Sequence, residues 1–231
     1  MKVSIVIPAH NEEACIEKTL QKVLNQDYPD FEVIVVDNNS TDKTSELAQK
    51  MGVKVLFEKN KGTQWARERG RLSASGEIIA NLDADCLPEK NWLRRGTQHF
   101  SDTKVVAVGG PYNYYDGRES FRVFSLIFQK TIYALFNFLM QKFNRGAVLI
   151  GGNVFLRADI LEKVGGYNTN IVFYGDDTDT AKRMSKQGRV VFDTGLVVKT
   201  SARRLKSEGS FKISIIYIYH FFKVLFSSFE K

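Results

Sequence analysis

Short apolar runs alternate with helix-like segments along the first 85 residues of this chain. The runs have the length and composition of buried strands and lie at residues 2–7, 31–36, 53–57 and 78–82. Helical patterns fill the intervals, at residues 11–26 with Asn11 as the N-cap, after Ser40 or Thr41, and at residues 62–75. Strands that alternate with helices form a mostly parallel sheet with right-handed crossovers. The sequence therefore predicts an α/β domain.

Polar residues follow three of these strands, where the strands of a parallel sheet would share one edge. Residues 8–10 (Pro-Ala-His) follow the first run, Asp37 closes the second, and Asp83 and Asp85 follow the fourth. In an open α/β sheet, ligands bind outside the carboxyl ends of the strands. Mg²⁺ and Mn²⁺ prefer carboxylate oxygens, and Mg²⁺ commonly joins one or two carboxylates to substrate phosphates. The pattern predicts a metal-assisted site for a phosphate-bearing ligand, although a lone Asp-x-Asp pair is more often a solvated turn or a helix cap.

Two common phosphate-binding sequences are missing. The first strand is not followed by Gly-x-Gly-x-x-Gly, and the chain has no Gly-x-x-x-x-Gly-Lys-Ser/Thr. A bound diphosphate would then be neutralised by a cation and by basic side chains, which gives the acidic pair more weight.

Composition limits the class of protein but does not identify its binding partner. The chain has 231 residues, 43% hydrophobic and 26% charged, without repeats or a low-complexity linker, which favours a single domain. Its two cysteines and the absence of a secretory signal pattern predict a reduced, intracellular protein. The net charge of +7 is compatible with nucleic acid, an acidic lipid surface or a phosphorylated substrate.

The second half of the chain carries another acidic group. Strands are predicted at residues 105–108, 151–157 and 189–199, and helices at residues 158–164 and from about 176 to 187. The adjacent carboxyls of Asp176 and Asp177 oppose each other's ionisation, which raises the pKa of one and suits it to proton abstraction. The alternative is that acids at a helix start act only as caps and dipole partners, which is the role expected for Asp179.

Taken in order, these segments resemble those of a family 2 glycosyltransferase with the GT-A fold. The resemblance runs from residue 3 to about residue 205. The matching segments are IPAHNEE (7–13), VDNNSTD (36–42), NKG (60–62) followed by AR (66–67), GEIIANLDAD (76–85), GGN (151–153), GGY (165–167) and GDD (175–177). It implies a Rossmann-like, mixed but mostly parallel sheet flanked by helices, with residues 1–110 as the nucleotide-binding half and 111–205 as the acceptor-binding half. A C-terminal amphipathic helical segment at residues 206–231 would follow.

The resemblance also implies the reaction and the donor site. A sugar would be transferred with inversion from a nucleoside diphosphate sugar, assisted by Mg²⁺ or Mn²⁺. Asp37 would lie near the base, Asp83 on the ribose and metal side, and Asp85 on the metal. The remaining donor-binding residues would be Pro8, Ala9, Glu12, Lys61, Ala84, Arg203 and Arg204, although basic residues after a strand are commonly just surface.

On the acceptor side, the resemblance implies that Asp177 is the general base. Asp176 takes a place where a Glu is more usual in the family, which leaves the division of roles between the two open. Gly152 and Asn153 would contact the acceptor. A single in-line displacement requires one base and no enzyme nucleophile.

Several functions remain open from the sequence. The leading acceptor is a hydroxyl of a glycan or lipid-linked sugar, and the runner-up is a polyprenyl phosphate, which needs no base. A sugar-phosphate nucleotidyltransferase would carry a Gly-rich basic loop after the first strand, where residues 8–11 (Pro-Ala-His-Asn) stand instead. A non-catalytic nucleotide-sugar binder is disfavoured by the acidic residues, and only net charge favours nucleic acid, so no nucleic-acid partner is expected.

Two aromatic-rich segments, at residues 121–143 and 211–229, predict amphipathic helices. Lys223 near the middle of the second argues against a transmembrane span and favours an interfacial helix. In the first, one stripe is polar and comprises Arg122, Ser125, Gln129, Tyr133, Asn137 and Gln141. The expectation is a cytoplasmic enzyme, peripheral on the inner face of the cell membrane. The alternatives are that these helices pack on the sheet or form a homodimer interface.

Overall fold

Two sheets organise the fold in a computed structural model, which describes residues 1–143, 146–171, 175–208, 216, 219, 220 and 223. The main sheet has seven strands in the order β3-β2-β1-β4-β8-β6-β9, and a small sheet has the order β5-β10-β7. The strands are β1 (Val3–Ala9), β2 (Phe31–Asp37), β3 (Lys54–Phe57), β4 (Ile78–Leu82), β5 (Leu87–Pro88), β6 (Val105–Gly109), β7 (Tyr112–Tyr114), β8 (Asn153–Arg157), β9 (Arg189–Phe192) and β10 (Val198–Thr200).

Helices cover both faces of the main sheet, so its central strands are buried on both sides and mostly apolar. Core clusters lie on the two faces, one including Ile5 and Ile7 and the other including Val6 and Ile79. The helices are α1 (Ile16–Leu24), α2 (Thr44–Lys50), α3 (Thr63–Ser73), α4 (Trp92–Thr97), α5 (Glu119–Phe128), α6 (Ala134–Lys142), α7 (Ala158–Lys163), α8 (Asp176–Ser185) and α9 (Arg203–Glu208). A 3₁₀ turn at Gln98–Ser101 follows α4, and a π turn at Gln129–Tyr133 joins α5 to α6.

The predicted mixed, mostly parallel sheet flanked by helices is confirmed. Strands β3, β2, β1 and β4 run parallel, and β6 is parallel to β9. Strand β8 lies between β4 and β6 and is antiparallel to both. It begins where β4 ends, because Leu82 pairs with Asn153. This reversed strand brings residues of the second half of the chain to the edge where the first half ends its strands.

Three element boundaries differ from prediction. Helix α2 begins at Thr44, so neither Ser40 nor Thr41 is its N-cap. Helix α1 begins at Ile16, and Asn11 is not its N-cap: Asn11 has a left-handed backbone (φ 55°), and its side-chain oxygen accepts a hydrogen bond from the backbone N–H of Thr41. Residues 189–199 do not form one strand, because β9 joins the main sheet and β10 the small one. The conformation of Asn11 and the division of residues 189–199 come from tertiary contacts that a local pattern does not contain.

The segment at residues 119–142 is helical, and its polar stripe faces the protein. Asn137 is buried and donates to the carbonyl of Val190, while Gln141 bonds both the N–H and the carbonyl of Val190. Val190 belongs to β9, an edge strand, so these amides cover a sheet edge that would otherwise be open. By length and composition this helix also qualifies as a membrane span. The predicted helix at residues 211–229 lies largely outside the described residues.

Candidate functional site

The ends of β1, β2 and β4 and the start of β8 meet at one edge of the main sheet and form the candidate site. Asp37 ends β2, and Asp83 directly follows β4. Gly151 and Gly152 precede β8, whose antiparallel direction places them beside the end of β4. Glycine is required at both positions, because a Cβ on Gly151 would collide with Asp177 and Arg67, and one on Gly152 with Asp83 and Tyr112.

A buried arginine joins the acidic residues of the two halves. The Arg67 guanidinium contacts Asp83 Oδ1 through Nη2 at 3.4 Å. Through Nη1 it contacts Asp176 Oδ2 at 3.0 Å and Asp177 Oδ1 at 3.2 Å. Its side chain is only 5% exposed. Asp83 and Asp177 therefore contact the same guanidinium group.

Arg67 stays charged despite its burial. Desolvation lowers its pKa, but Asp177, Asp176 and Asp83 outweigh that effect and hold the pKa above its ordinary value. Gln64, one helical turn earlier on α3, donates to the same Asp176 oxygen at 2.8 Å. Removing Arg67 would leave three carboxylates without their shared cation, and leaving buried charges unpaired is strongly destabilising. We therefore expect these residues to act as a unit.

Asp177 has the properties of a proton acceptor. Burial, followed by repulsion from Asp176, raises its pKa to about 7, while Arg67 and the N–H of Gly151 act in the opposite direction. About 30% of its side chain remains exposed. A carboxylate that is reachable from solvent and has a pKa near neutrality is matched to general base catalysis.

Asp83 and Asp85 are held by neutral hydroxyl donors as well as by cations. The hydroxyl of Tyr112 donates to Asp83 Oδ2 at 2.8 Å, and that of Thr200 donates to Asp85 Oδ1 at 3.1 Å. Burial, then the charge of Asp83, raises the pKa of Asp85 to about 7. The two carboxylates therefore form a region of concentrated negative charge.

Glu12 is a third carboxylate beside Asp83 and Asp85, and Arg203 is the cation next to it. Arg203 Nη2 contacts Glu12 Oε1 and lies 3.7 Å from Asp85 Oδ2. Burial raises the pKa of Glu12, against the effect of Arg203. The second oxygen of Glu12 is buried and has no hydrogen-bond partner among the described residues. Arg203 thus supplies part of the positive charge that this group of carboxylates requires.

The acidic group fits a divalent cation held by few protein ligands. No cluster of three metal-ligating side chains occurs in the described part of the chain. However, Asp83 and Asp85 offer the hard oxygen ligands that Mg²⁺ and Mn²⁺ prefer, and the pKa of Asp85 is raised first by burial and then by the neighbouring charge of Asp83. Such a site suits a cation whose other ligands are water and substrate phosphates.

The other donor-side residues lie along the same edge. Pro8 and Ala9 end β1, and the buried Asp37 accepts a hydrogen bond from the N–H of Ser40 at 3.0 Å. Ala84 is buried between Asp83 and Asp85, with its carbonyl bonded by Thr19. Exposed Lys61 precedes α3, and half-buried Arg204 follows Arg203 in α9. Their predicted roles in donor binding stay predictions.

The acceptor role predicted for Asn153 is corrected by its surroundings. Asn153 is completely buried, and its side chain bonds Trp92 Nε1 and the carbonyls of Leu196 and Pro111. It links β8 to α4 and to the segments that precede β7 and β10, and it is not available to an acceptor. Gly152, in contrast, contacts the site through its neighbours Asp83 and Tyr112.

Sequence analysis assigned no role to Arg67, Gln64, Tyr112 or Thr200. A signal was present for two of them, since Gln64 and Arg67 are polar residues one turn apart on a helix whose other buried positions include Ala66 and Gly70. Tyr112 and Thr200 lie on the small sheet, in β7 and β10, and no local pattern connects them with the main sheet.

Comparison with known proteins agrees with this architecture. Residues 4–165 match the family described as glycosyl transferase family 2. Glycosyltransferase AglE of Haloferax volcanii is 34% identical over 199 residues, covering 80% of this chain and 62% of the relative. A dolichyl N-acetyl-α-D-glucosaminyl phosphate 3-β-D-2,3-diacetamido-2,3-dideoxy-β-D-glucuronosyltransferase of Methanococcus voltae is 25% identical over 209 residues, covering 84% of this chain and 57% of the relative.

The chain thus spans about three fifths of the length of these relatives. Among solved structures, the mannosyltransferase PcManGT of Pyrobaculum calidifontis, in complex with GDP-Man and Mn²⁺, superposes with a TM-score of 0.75 at 24% identity. The alignment covers 100% of this chain and 66% of that one, and at this identity it shows the fold alone. With the family match over residues 4–165 and the GT-A architecture, the chain belongs to the family 2 glycosyltransferases.

Proposed function

We propose that this protein transfers a sugar from a nucleoside diphosphate sugar to a hydroxyl of a glycan or lipid-linked acceptor, with inversion at the anomeric carbon. Arg67 is the observation that carries this proposal, because it holds donor-side Asp83 and the base Asp177 at one place. If a donor binds along the ends of β1, β2 and β4, its sugar would lie between these two carboxylates.

The transfer is a single displacement. The acceptor oxygen forms a bond to the anomeric carbon while the bond from that carbon to the diphosphate oxygen breaks. The acceptor proton passes to Asp177, and the electron pair of the broken bond leaves with the nucleoside diphosphate. Arg67 keeps Asp177 in place, and the N–H of Gly151 fixes its carboxylate.

Asp83 and Asp85 would hold Mg²⁺ or Mn²⁺, which supplies a Lewis acid for the charge on the departing diphosphate. Arg203 lies beside Asp85 and could contribute further positive charge to the same group. The GDP-Man and Mn²⁺ bound by the structural neighbour support a nucleotide donor with a divalent cation. The lipid-linked acceptor in the name of the Methanococcus voltae relative supports an acceptor of that class.

A donor screen tests the proposal. UDP-, GDP- and dTDP-sugars are added with and without Mn²⁺, and thermal unfolding is followed. One donor with Mn²⁺ should raise Tm by about 5 °C or more at about 100 times its Kd, because a ligand that binds only the folded state stabilises it. The same donor without Mn²⁺ is the matched control and should give a much smaller shift. No shift with any donor and metal would contradict nucleotide-sugar binding.

The transfer rate should rise with pH up to the pKa of Asp177. Burial and Asp176 raise that pKa to about 7, and only the ionised carboxylate accepts a proton. Below this value we expect the rate to fall about tenfold per pH unit, and above it to reach a plateau. Initial rates at saturating donor measure the profile, and a flat profile between about pH 5 and 8 would oppose the assigned role.

A change in folding stability with pH cannot produce the same dependence of the transfer rate on pH. A carboxyl with a raised pKa binds more protons in the folded state than in the unfolded state, between its ordinary pKa and about 7. Its contribution to folding is therefore lost as pH rises through this range, whereas the rate is expected to increase. Thermal unfolding recorded at each pH separates the two effects.

A further inference from the structure

The helical segment at residues 119–142 presents a continuous apolar face to solvent. Nine side chains form this outer face, and each is at least 38% exposed. They are nine of the sixteen most exposed large apolar side chains among the described residues. The outer face consists of Val123, Phe124, Ile127, Phe128, Ile132, Leu135, Phe138, Leu139 and Phe143.

The polarity of this helix is the reverse of that of an ordinary surface helix. Amphipathic helices of soluble proteins turn apolar residues toward the core and polar residues toward water. Here Gln129 and Asn137 point inward and are buried, and the apolar residues are outside. Thr131, which lies within the outer face, donates its hydroxyl to the carbonyl of Ile127 at 2.8 Å and so presents little polarity. The outer face therefore matches an apolar environment.

Apart from Glu119 at its start, the charged residues of this helix are basic. Residues 120–142 contain no Asp or Glu, while they contain Arg122, Lys130 and Lys142. Arg118 and Lys142 are exposed at the two ends of the helix. An apolar face bordered by cations is complementary to the surface of an anionic bilayer.

A second copy of the chain fits this face less well. Pairing two such helices would bring the cations at their ends together, with only Glu119 to oppose them. Like charges brought together weaken such an interface. A helix that crosses the bilayer is also excluded by its contacts, because Asn137 and Gln141 bond β9 and Gln129 bonds β7. The helix lies along the domain.

Hydrogen bonds connect the helix that carries the outer face with the candidate site. Gln129 accepts a hydrogen bond from the N–H of Tyr112 at 2.9 Å and donates to its carbonyl at 3.0 Å. The hydroxyl of the same Tyr112 donates to Asp83. The π turn begins at Gln129, and such turns often occur where a helix serves a functional site. One residue therefore separates the helix from the donor-side carboxylate.

We propose that the outer face of residues 119–142 lies in the interfacial region of an anionic lipid bilayer and places the site at the membrane surface. The helix, about 36 Å long, lies parallel to the bilayer with its apolar side chains among the lipids. Combined with the function proposed above, on which this step rests, the acceptor is a glycan carried by a membrane lipid. Lipid binding itself is independent of sugar transfer.

Flotation with vesicles tests this surface. The 231-residue chain is mixed with vesicles of phosphatidylcholine alone or with added phosphatidylglycerol, and its distribution in a density gradient is measured. We expect flotation with the anionic vesicles and less with the neutral ones. Ile127→Glu and Phe138→Glu should each weaken binding about tenfold or more, because each places a charge where an apolar group was buried in lipid. Leu72→Glu is the matched control, since Leu72 is a similarly exposed (64%) apolar residue on α3; it should float as the unmodified chain does.

Three outcomes would overturn the proposal. The unmodified chain could remain in the soluble fraction with both kinds of vesicle. Both variants could float unchanged, which would assign binding to another segment such as residues 209–231. Sedimentation velocity without lipid could reveal a dimer that Ile127→Glu dissociates, which would assign the outer face to a second copy. Because the donor screen uses no lipid, failure of either experiment leaves the other result interpretable.

Discussion

Asp177→Asn is expected to reduce sugar transfer to a hydroxyl acceptor by about 10²–10⁴-fold, which is the usual contribution of a general base. The amide keeps the shape of the side chain but does not accept the acceptor proton. Donor binding should be nearly unchanged, because Asp83 and Asp85 carry the cation in the proposed site. The measurement is kcat with saturating donor, together with the donor Kd.

The variant should fold normally. Arg67 retains Asp176 and Asp83 as partners, and the repulsion between Asp176 and Asp177 is removed. Asp159→Asn is the matched control, because Asp159 is an exposed acid in the first turn of α7, and its activity should equal that of the unmodified protein. If Asp177→Asn kept full activity, Asp177 would not be the general base. Such a result with a polyprenyl phosphate as acceptor would support the alternative function, since a phosphate is already ionised.

Asp85→Asn is expected to weaken binding of the donor in the presence of Mn²⁺ by at least about 100-fold, since metal coordination contributes several kcal/mol. Asp85 is only 14% exposed and lies beside Asp83 and Arg203, so the substitution removes a carboxylate from the centre of the acidic group. Asn can still accept the hydrogen bond from Thr200, which preserves the local packing. Calorimetric titration of the donor with and without Mn²⁺ measures the effect.

The metal dependence distinguishes this role from a general loss of binding. In the unmodified protein, Mn²⁺ should strengthen donor binding, whereas in Asp85→Asn it should have little effect. Asp27→Asn is the control, because Asp27 pairs with Arg94 and is about half exposed, remote in sequence from the acidic strand ends. If Asp85→Asn kept a full response to Mn²⁺, the proposed metal position would be wrong.

The residues that sequence analysis placed correctly belong to short segments whose position follows from a strand end. Asp37 and Asp83 follow β2 and β4, and the direction of a parallel strand fixes the edge at which its last residue lies. The alternation of strands and helices was sufficient to predict this edge. The start of α1 was misplaced because Asn11 has a conformation set by a contact with Thr41, on a different loop.

Residues whose roles depend on distant partners were missed or given the wrong role. Asn153 follows a glycine pair and looked like an acceptor contact, but its amide bonds Trp92 and Leu196. Arg67 was part of a matching segment, yet its function depends on three carboxylates, two of them more than one hundred residues away. No periodicity or spacing in a single chain contains such a contact.

The sequence alone determined the fold class, the family resemblance and the acidic residues at the strand ends, because these depend on local patterns of polarity. Tertiary structure decided how those acids interact and which way the helix at residues 119–142 faces. A helix with one polar and one apolar side has the same pattern whether its apolar side meets a core or a membrane. Only the bonds of Gln129 and Asn137 to the protein show that its apolar side is turned outward.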